Sequence, residues 1–377
     1  MKKVWIADSA TITPFGGDLK KLWSALVAGM TAIKPVERFA VQNYHAGIAA
    51  CINDLVAIDE RSMACTLIQR LAAQLGTVPP DTLLITATTK SGIDNLEKIH
   101  RGYPATARDV MVSAMFESVQ RKLKLTAECI NISAACASST VAVAQGAALI
   151  ASGCKDAVLV VCLDLVTEFV FSGFSALQAL SKTPCRPFDR DRSGLSLGEG
   201  AAAILLMSSE RARRENRIPL GTVLGWGTAN DATHITAPAR DGSGLAQAIR
   251  LALQMTSPEH LEIAAISAHG TGTVYNDLME LKAFHQIFGA HKIPIYSIKG
   301  AIGHTLGAAG GIEVAIGLHA LAEQTAPPTV GFSNPESGAE DSVRSEPATF
   351  SGDCLLTTNS GFGGINAALI LGKGSLH

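Results

Sequence analysis

Cys129-Ile130-Asn131-Ile132-Ser133-Ala134-Ala135-Cys136-Ala137-Ser138-Ser139-Thr140 reads as a strand, a tight turn and the start of a helix. The helix runs over 137–152 and is built almost wholly of Ala, Val, Ser and Gly, a composition suited to a protein interior. Residues 157–163 then form a continuous apolar strand, as in a parallel sheet covered on both faces. The same order recurs in the second half. A short strand at 295–298 leads to His304, and a second Gly/Ala-rich helix follows over about 306–322. The repetition predicts an internally duplicated α/β chain in which neither half covers its own sheet alone.

Outward from these anchors, strands are expected at 4–6, 82–88, 201–207, 223–227, 263–268, 354–358 and 367–371. Helices are expected at 18–30, with Asp18 as cap, and at 62–75, 110–123, 244–255 and 278–288. The seam is placed at the basic run Arg211–Arg217, a solvated helix end, which divides the chain into an N-terminal half, 1–215, and a C-terminal half, 216–377.

The chain has 377 residues, with 31 Lys or Arg against 33 Asp or Glu, a net charge of −2. That balance argues against nucleic acid or an anionic membrane face as the main partner. Apolar residues make up 47% and charged residues 17%, the profile of a core-rich chain. The start, Met1–Asp8, reads as a first strand rather than a signal-peptide core. No run suggests a membrane span, the longest candidate being 135–152. The eight Cys are scattered without a C-x-x-C pair, which supports neither a zinc site nor a redox motif and predicts a reducing, cytoplasmic location.

Four stretches carry chemistry. Cys136 stands at a helix N-terminus, where the partial positive charge favours thiolate; most lone cysteines, by contrast, are inert core residues. Its setting is that of a nucleophile elbow with Cys in place of Ser. His269 opens His269-Gly270-Thr271-Gly272-Thr273, whose glycines let a ligand approach the backbone and whose hydroxyls can bond a flexible polar arm. Asp277 and Glu280 follow on one helix face, either as a solvated face or in support of the site. Lys299 and His304 lie among Gly and Ala residues, so a buried charge there needs a partner, and Glu313 is the natural one for Lys299. Thr358-Asn359-Ser360-Gly361-Phe362-Gly363-Gly364-Ile365-Asn366 is a turn whose N–H groups can serve an oxyanion and whose ring can gate a pocket; alone it also reads as a plain Gly turn. The alternating charges of Pro187–Gly200 read as a structural lattice.

Taken in order and spacing, Cys136, His269, Lys299, His304 and the Gly361–Gly364 turn resemble the elongating β-ketoacyl-acyl-carrier-protein synthases, the ketosynthases of the thiolase superfamily. The likeness extends over most of the chain. It implies a duplicated thiolase fold in five layers, α-β-α-β-α, and a homodimer or a heterodimer with a related ketosynthase-like subunit. It implies a decarboxylating Claisen condensation in fatty-acid or polyketide chain elongation. An acyl group passes from a carrier-protein phosphopantetheine to Cys136, and malonyl carrier-protein supplies the carbanion. His269 and His304 would stabilise the enolate, and the N–H groups of Cys136 and Phe362 the other oxyanion. Lys299 held by Glu313 would tune the His304 region, with Asp277 and Glu280 in support. Thr271, Thr273, Gly361 and Gly363 would line the substrate channel. No metal and no dissociable cofactor is implied.

Three features depart from the common fatty-acid members. Ser360 stands where they carry an extra Phe, a form more like ketosynthases of dissociated polyketide or polyene pathways. Residues 38–59 and 90–125 are shorter than usual. Arg192-Ser193-Gly194-Leu195 replaces Arg-Asp-Gly-Phe. Two other readings compete. A non-decarboxylating thiolase on acyl-CoA would need a second catalytic Cys, for which Cys354 is poorly placed. A chain-length-determining partner subunit would typically lack the nucleophile.

Overall fold

The computed structural model describes residues 1–256 and 262–374. Ten strands form one continuous sheet. The first five are β1 (Val4–Ile12), β2 (Leu83–Ala87), β3 (Cys129–Ile132), β4 (Ala157–Asp164) and β5 (Gly200–Ser208). The second five are β6 (Gly221–Asn230), β7 (Ile263–Ser267), β8 (Ile295–Tyr296), β9 (Cys354–Gly361) and β10 (Ile365–Lys373). Outward from the centre the first half runs β1-β5-β4-β2-β3 and the second runs β6-β10-β9-β7-β8. Each half therefore places its first, fifth, fourth, second and third strands in the same order. The pairings match too: antiparallel for the inner two, parallel for the outer two. The expected duplication is thus a property of the topology. The halves join through a short antiparallel ladder, Val4–Ile6 against Gly221–Val223.

Helices α1 (Met63–Ala72), α2 (Val112–Leu123) and α3 (Ser138–Ala151) belong to the first half, and α4 (Ser243–Gln254), α5 (Val274–Phe288) and α6 (Ala309–Glu323) to the second. α1 and α2 pack outside the first half-sheet, α4 and α5 outside the second, and α3 against α6 between them. These are the five layers α-β-α-β-α. The sequence of the middle pair explains its place, because α3 and α6 are apolar on all sides and buried on nearly all. Close packing here needs glycine: a Cβ on Gly310 would collide with the Thr140 hydroxyl of α3 and come 2.7 Å from Asn359 Oδ1 of β9, and one on Gly311 would meet Cys162 Sγ of β4.

The elements lie close to their expected positions, with informative differences. β1 is longer than 4–6 because it pairs along its whole length with β5. Asp18 caps the Leu19–Val27 helix as expected, its carboxylate accepting from Lys20 N. α5 begins at Val274, not 278, so Asp277 lies in its first turn. Lys299 opens a one-turn helix, Lys299–Ile302, just beyond the strand. Residues Leu306–Glu323 are long and apolar enough to cross a membrane, contrary to the expectation that 135–152 is the longest such run; 83% of this stretch is buried in the middle layer. The basic run forms the exposed-edge helix Ser209–Arg214, where Arg211 pairs with Asp81 and Glu215.

Candidate active site

Cys136, His269 and His304 line one cavity of about 80 Å³. Each side chain follows the carboxyl end of a strand: Cys136 after β3, His269 after β7, His304 after β8. This is where loops of α/β sheets converge. Cys136 and His304 also occupy equivalent places in the two repeats, the link from third strand to middle-layer helix.

The Cys136 turn is tight. Ala135 has φ +48°, a conformation L residues rarely adopt, and it turns the chain so that Cys136 stands ahead of α3. Ser138 locks the turn, accepting from Ala134 N at 2.9 Å and donating to Ala135 O at 2.5 Å. The expectation of a lowered thiol pKa is corrected here. Burial pushes the thiol up to about 12, with Lys299 the largest opposing influence and Asp164 adding to the rise. Desolvation of the anion outweighs the helix terminus.

The two imidazoles meet edge to face, ring centroids 5.1 Å apart. Burial first, then the charge of Lys299, holds both well below the usual histidine range, so both are neutral near pH 7. Leu306 N–H donates to His304 Nδ1 at 3.3 Å, which leaves the ring proton on Nε2. Leu306 has φ +52°, and the next residue is pinned as well: Gly307 N–H donates to Asp164 Oδ2 at 2.7 Å. The Asp164 carboxylate also accepts from Thr88 and Thr89 and from the amide of Lys90, so one buried acid ties the His304 loop to the loop after β2.

Behind the histidines lies a dry ion pair. Lys299 Nζ donates to Glu313 Oε1 at 2.5 Å, with both side chains 1% exposed. Asn359 bonds the same carboxylate, Nδ2 to Glu313 Oε2 at 2.8 Å, and the same nitrogen lies 3.0 Å from His269 Nδ1.

Asp277 and Glu280 are fully buried rather than solvated, and both serve the His269 loop. Glu280 accepts from the amides of His269 and Gly270, each at 2.7 Å. Asp277 accepts from Thr271 N at 3.1 Å and Phe188 N at 2.7 Å, with Arg192 Nε at 3.7 Å. Burial, then Asp277, pushes the Glu280 carboxyl up to about 8.

Thr271 and Thr273 line the cavity, their hydroxyls 2.9 Å apart. Gly361 and Phe362 line it as well, and the Phe362 ring lies 5.8 Å from that of Phe174. A Cβ on Gly361 would come 3.1 Å from Cys136 N, so any side chain there would press on the nucleophile's turn. Gly363 is not in the cavity wall. It donates its N–H to Ile235 O at 2.7 Å and bends the turn away, φ +86°. Cys354 sits at the opposite end of β9 from Gly361, so Cys136 is the one cysteine in the wall among the described residues.

Sequence reasoning missed Asp164 and gave no individual role to Asn359, Thr140 or the cavity residues Asp231, Asn276 and Asn366. Their signal is polarity without exposure. Thr-Thr-Asn-Ser closes a strand that is otherwise Leu-rich and fully buried, and such groups must find partners.

The N-terminal domain of beta-ketoacyl synthase matches residues 83–212 and the C-terminal domain matches 220–333. A 3-oxoacyl-[acyl-carrier-protein] synthase 2 of Rhizobium meliloti (strain 1021) is 30% identical over the whole of both chains. The chain belongs to the β-ketoacyl synthase family. The enzyme of the same name from Coxiella burnetii is 29% identical over 99% of each chain. Among solved structures, the ishigamide ketosynthase/chain length factor superposes with a TM-score of 0.90 at 28% identity, covering 99% of each chain. The alignments to the two relatives run over 424 and 408 positions against 377 residues here, so both relatives carry insertions that this β-ketoacyl synthase lacks.

Proposed function

We propose that this chain catalyses the decarboxylating Claisen condensation of an acyl thioester, carried on Cys136, with malonyl carrier-protein. Fold, family and site chemistry agree on it. The observation that carries it is the convergence of one cysteine and two neutral imidazoles on one cavity.

In the first stage the Cys136 sulfur attacks the acyl thioester carbonyl. The C–S bond to phosphopantetheine breaks, and the proton leaving Cys136 ends on the departing pantetheine thiol. The tetrahedral oxyanion is held by the amides of Cys136 and Phe362, on the two turns that abut at Gly361. In the second stage malonyl carrier-protein enters. Its C–CO₂ bond breaks, CO₂ leaves, and the electron pair passes into an enolate whose oxygen receives N–H donation from His269 and His304. Two neutral donors suit this step because they stabilise the enolate without protonating its carbon. The carbanion then attacks the acyl carbonyl and Cys136 leaves as thiolate. Burial and then Lys299, held by Glu313, keep both rings neutral, and Lys299 opposes the burial cost of that thiolate.

Thr271 and Thr273 serve the pantetheine arm. No metal or dissociable cofactor enters the scheme. We infer that the duplicated halves divide at 215/216, in the link between the Ser209–Arg214 helix and β6. The partner is acyl carrier protein, and the working unit a dimer with itself or with a related ketosynthase-like subunit. Retention of the cysteine and both histidines supports an active enzyme over a chain-length-determining subunit. The single cysteine of the cavity wall supports condensation over thiolysis. Intact-mass analysis after incubation with a panel of acyl carrier-proteins tests the proposal. An acyl increment mapping to Cys136 supports it; loading elsewhere, or none with any chain, overturns it.

A further inference from the structure

Asn359 joins three groups, Thr140, Glu313 and His269. Its side-chain oxygen accepts from the Thr140 hydroxyl on the first turn of α3, and its amide nitrogen faces Glu313 Oε2 at 2.8 Å and His269 Nδ1 at 3.0 Å. The residue is fully buried, so its amide is satisfied by protein partners and not by bulk water. The orientation of the amide follows from chemistry. A carboxylate only accepts, so the Asn359 NH₂, not its oxygen, must face Glu313. The Thr140 hydroxyl, which can donate, suits the amide oxygen on the other side. One amide hydrogen then goes to Glu313, and the second is left pointing at His269 Nδ1. A ring nitrogen facing an N–H must accept, so the ring proton sits on Nε2.

We propose that Asn359 is a positioning residue for His269, holding its proton on Nε2 and so aiming an N–H donor into the cavity. His304 reaches the same state by different means, through Leu306 N–H. The two donors are thus set by independent devices, one from the backbone and one from a side chain anchored to the Lys299–Glu313 pair. Thr140 stands four residues beyond Cys136, so the network also ties the nucleophile's helix to the His269 ring. This inference rests on the decarboxylation reading, but its spectroscopic part stands apart from it.

The test uses the full chain with ¹⁵N-labelled histidine rings, the His269 signals being assigned by their loss in His269→Asn. The native protein is expected to show His269 as the Nε2–H tautomer. Asn359→Leu removes the amide donor and shifts those signals towards Nδ1–H or a mixture. CO₂ release from malonyl carrier-protein falls roughly 10- to 100-fold, less than the loss from deleting an oxyanion donor outright. Acyl loading of Cys136 falls by less than about threefold on the same reasoning, because His269 donates to the enolate and not to the loading oxyanion. Should Asn359→Leu fail to fold, the Thr140 pair carries the test: Thr140→Val loosens the amide and lowers decarboxylation, and Thr140→Ser, which keeps the hydroxyl, restores it. A native Nδ1–H tautomer overturns the inference. So do unchanged ring signals and decarboxylation in Asn359→Leu, an equal fall in loading and decarboxylation, or equal behaviour of Thr140→Val and Thr140→Ser. If the native protein releases no CO₂ from malonyl carrier-protein, the functional reading fails, while the ring signals still decide the tautomer.

Discussion

His269 and His304 stand edge to face at 84°, both fully buried and both held neutral by burial and by Lys299. Their folded pKa values lie below the unfolded value of about 6.5. Below that pH the unfolded chain binds more protons than the folded one, so stability rises with pH there. The stabilisation is fully present above pH ~6.5 and is lost as pH falls through the folded values. Decarboxylation by Cys136→Gln, which isolates the histidines from the thiol, is expected to stay flat from neutral pH to about 6.5 and to fall only well below it. An acid limb centred at or above that value in the pH–rate profile would mean charged imidazoles and contradict this account.

Lys299→Met leaves Glu313 buried without its counter-charge. Urea denaturation is expected to show a loss of about 3–5 kcal/mol, and Lys299→Met with Glu313→Leu a distinctly smaller one. Alkylation of Cys136 by iodoacetamide at fixed pH is expected to slow in the double variant, because the largest influence opposing the thiol's raised pKa is gone. A double variant no more stable than the single one argues against the pair acting as a unit.

Gly361→Ala would set a methyl 3.1 Å from both Cys136 N and Ala134 O. The nucleophile's turn must shift by a few tenths of an ångström, moving one oxyanion donor. Acyl loading is expected to fall up to about 100-fold, the scale of a lost oxyanion-hole donor. Stopped-flow loading with Cys136 labelled at native rate would refute the contact.

Phe171 belongs to the apolar cluster that includes Cys136 and packs against Phe39 and Tyr44, centroids 5.5 and 5.6 Å away. Phe171→Ala costs about 3–5 kcal/mol as a core truncation. It also opens space within the cluster that holds Cys136, so the chain length loaded on Cys136, read by intact mass, is expected to increase. An unchanged preference would place the acyl pocket elsewhere.

Much of this was legible in the residues. The repeated strand, special residue and small-residue helix foretold the duplication, because helices of Ala and Gly have only the centre of such a fold to occupy. The ordered set Cys136, His269, Lys299, His304 and Phe362 marked the chemistry, and Glu313 was paired with Lys299 because a charge among small apolar residues needs a partner. What stayed hidden depends on contacts between segments distant in sequence. The sign of the Cys136 shift was misread because helix position is local, while the burial that raises the thiol comes from residues distant in sequence, from Val36 to Leu306. Asp277 and Glu280 read equally as a solvated face until the His269 loop folded onto them. Asn359 and Asp164 look like ordinary strand-end polar residues, and only their three-dimensional partners reveal them. Gly363 looked like its neighbour Gly361 yet turns away to Ile235.

The central claim is that Cys136 carries the acyl group while the two histidines act on malonyl. Its most direct measurement follows β-ketoacyl carrier-protein and CO₂ together, from acyl and malonyl carrier-proteins, in native protein, Cys136→Ala and Cys136→Gln. The account predicts both products from the native protein, no β-ketoacyl product from either variant, and continued CO₂ release from Cys136→Gln. Product formed by Cys136→Ala at the native rate would contradict it.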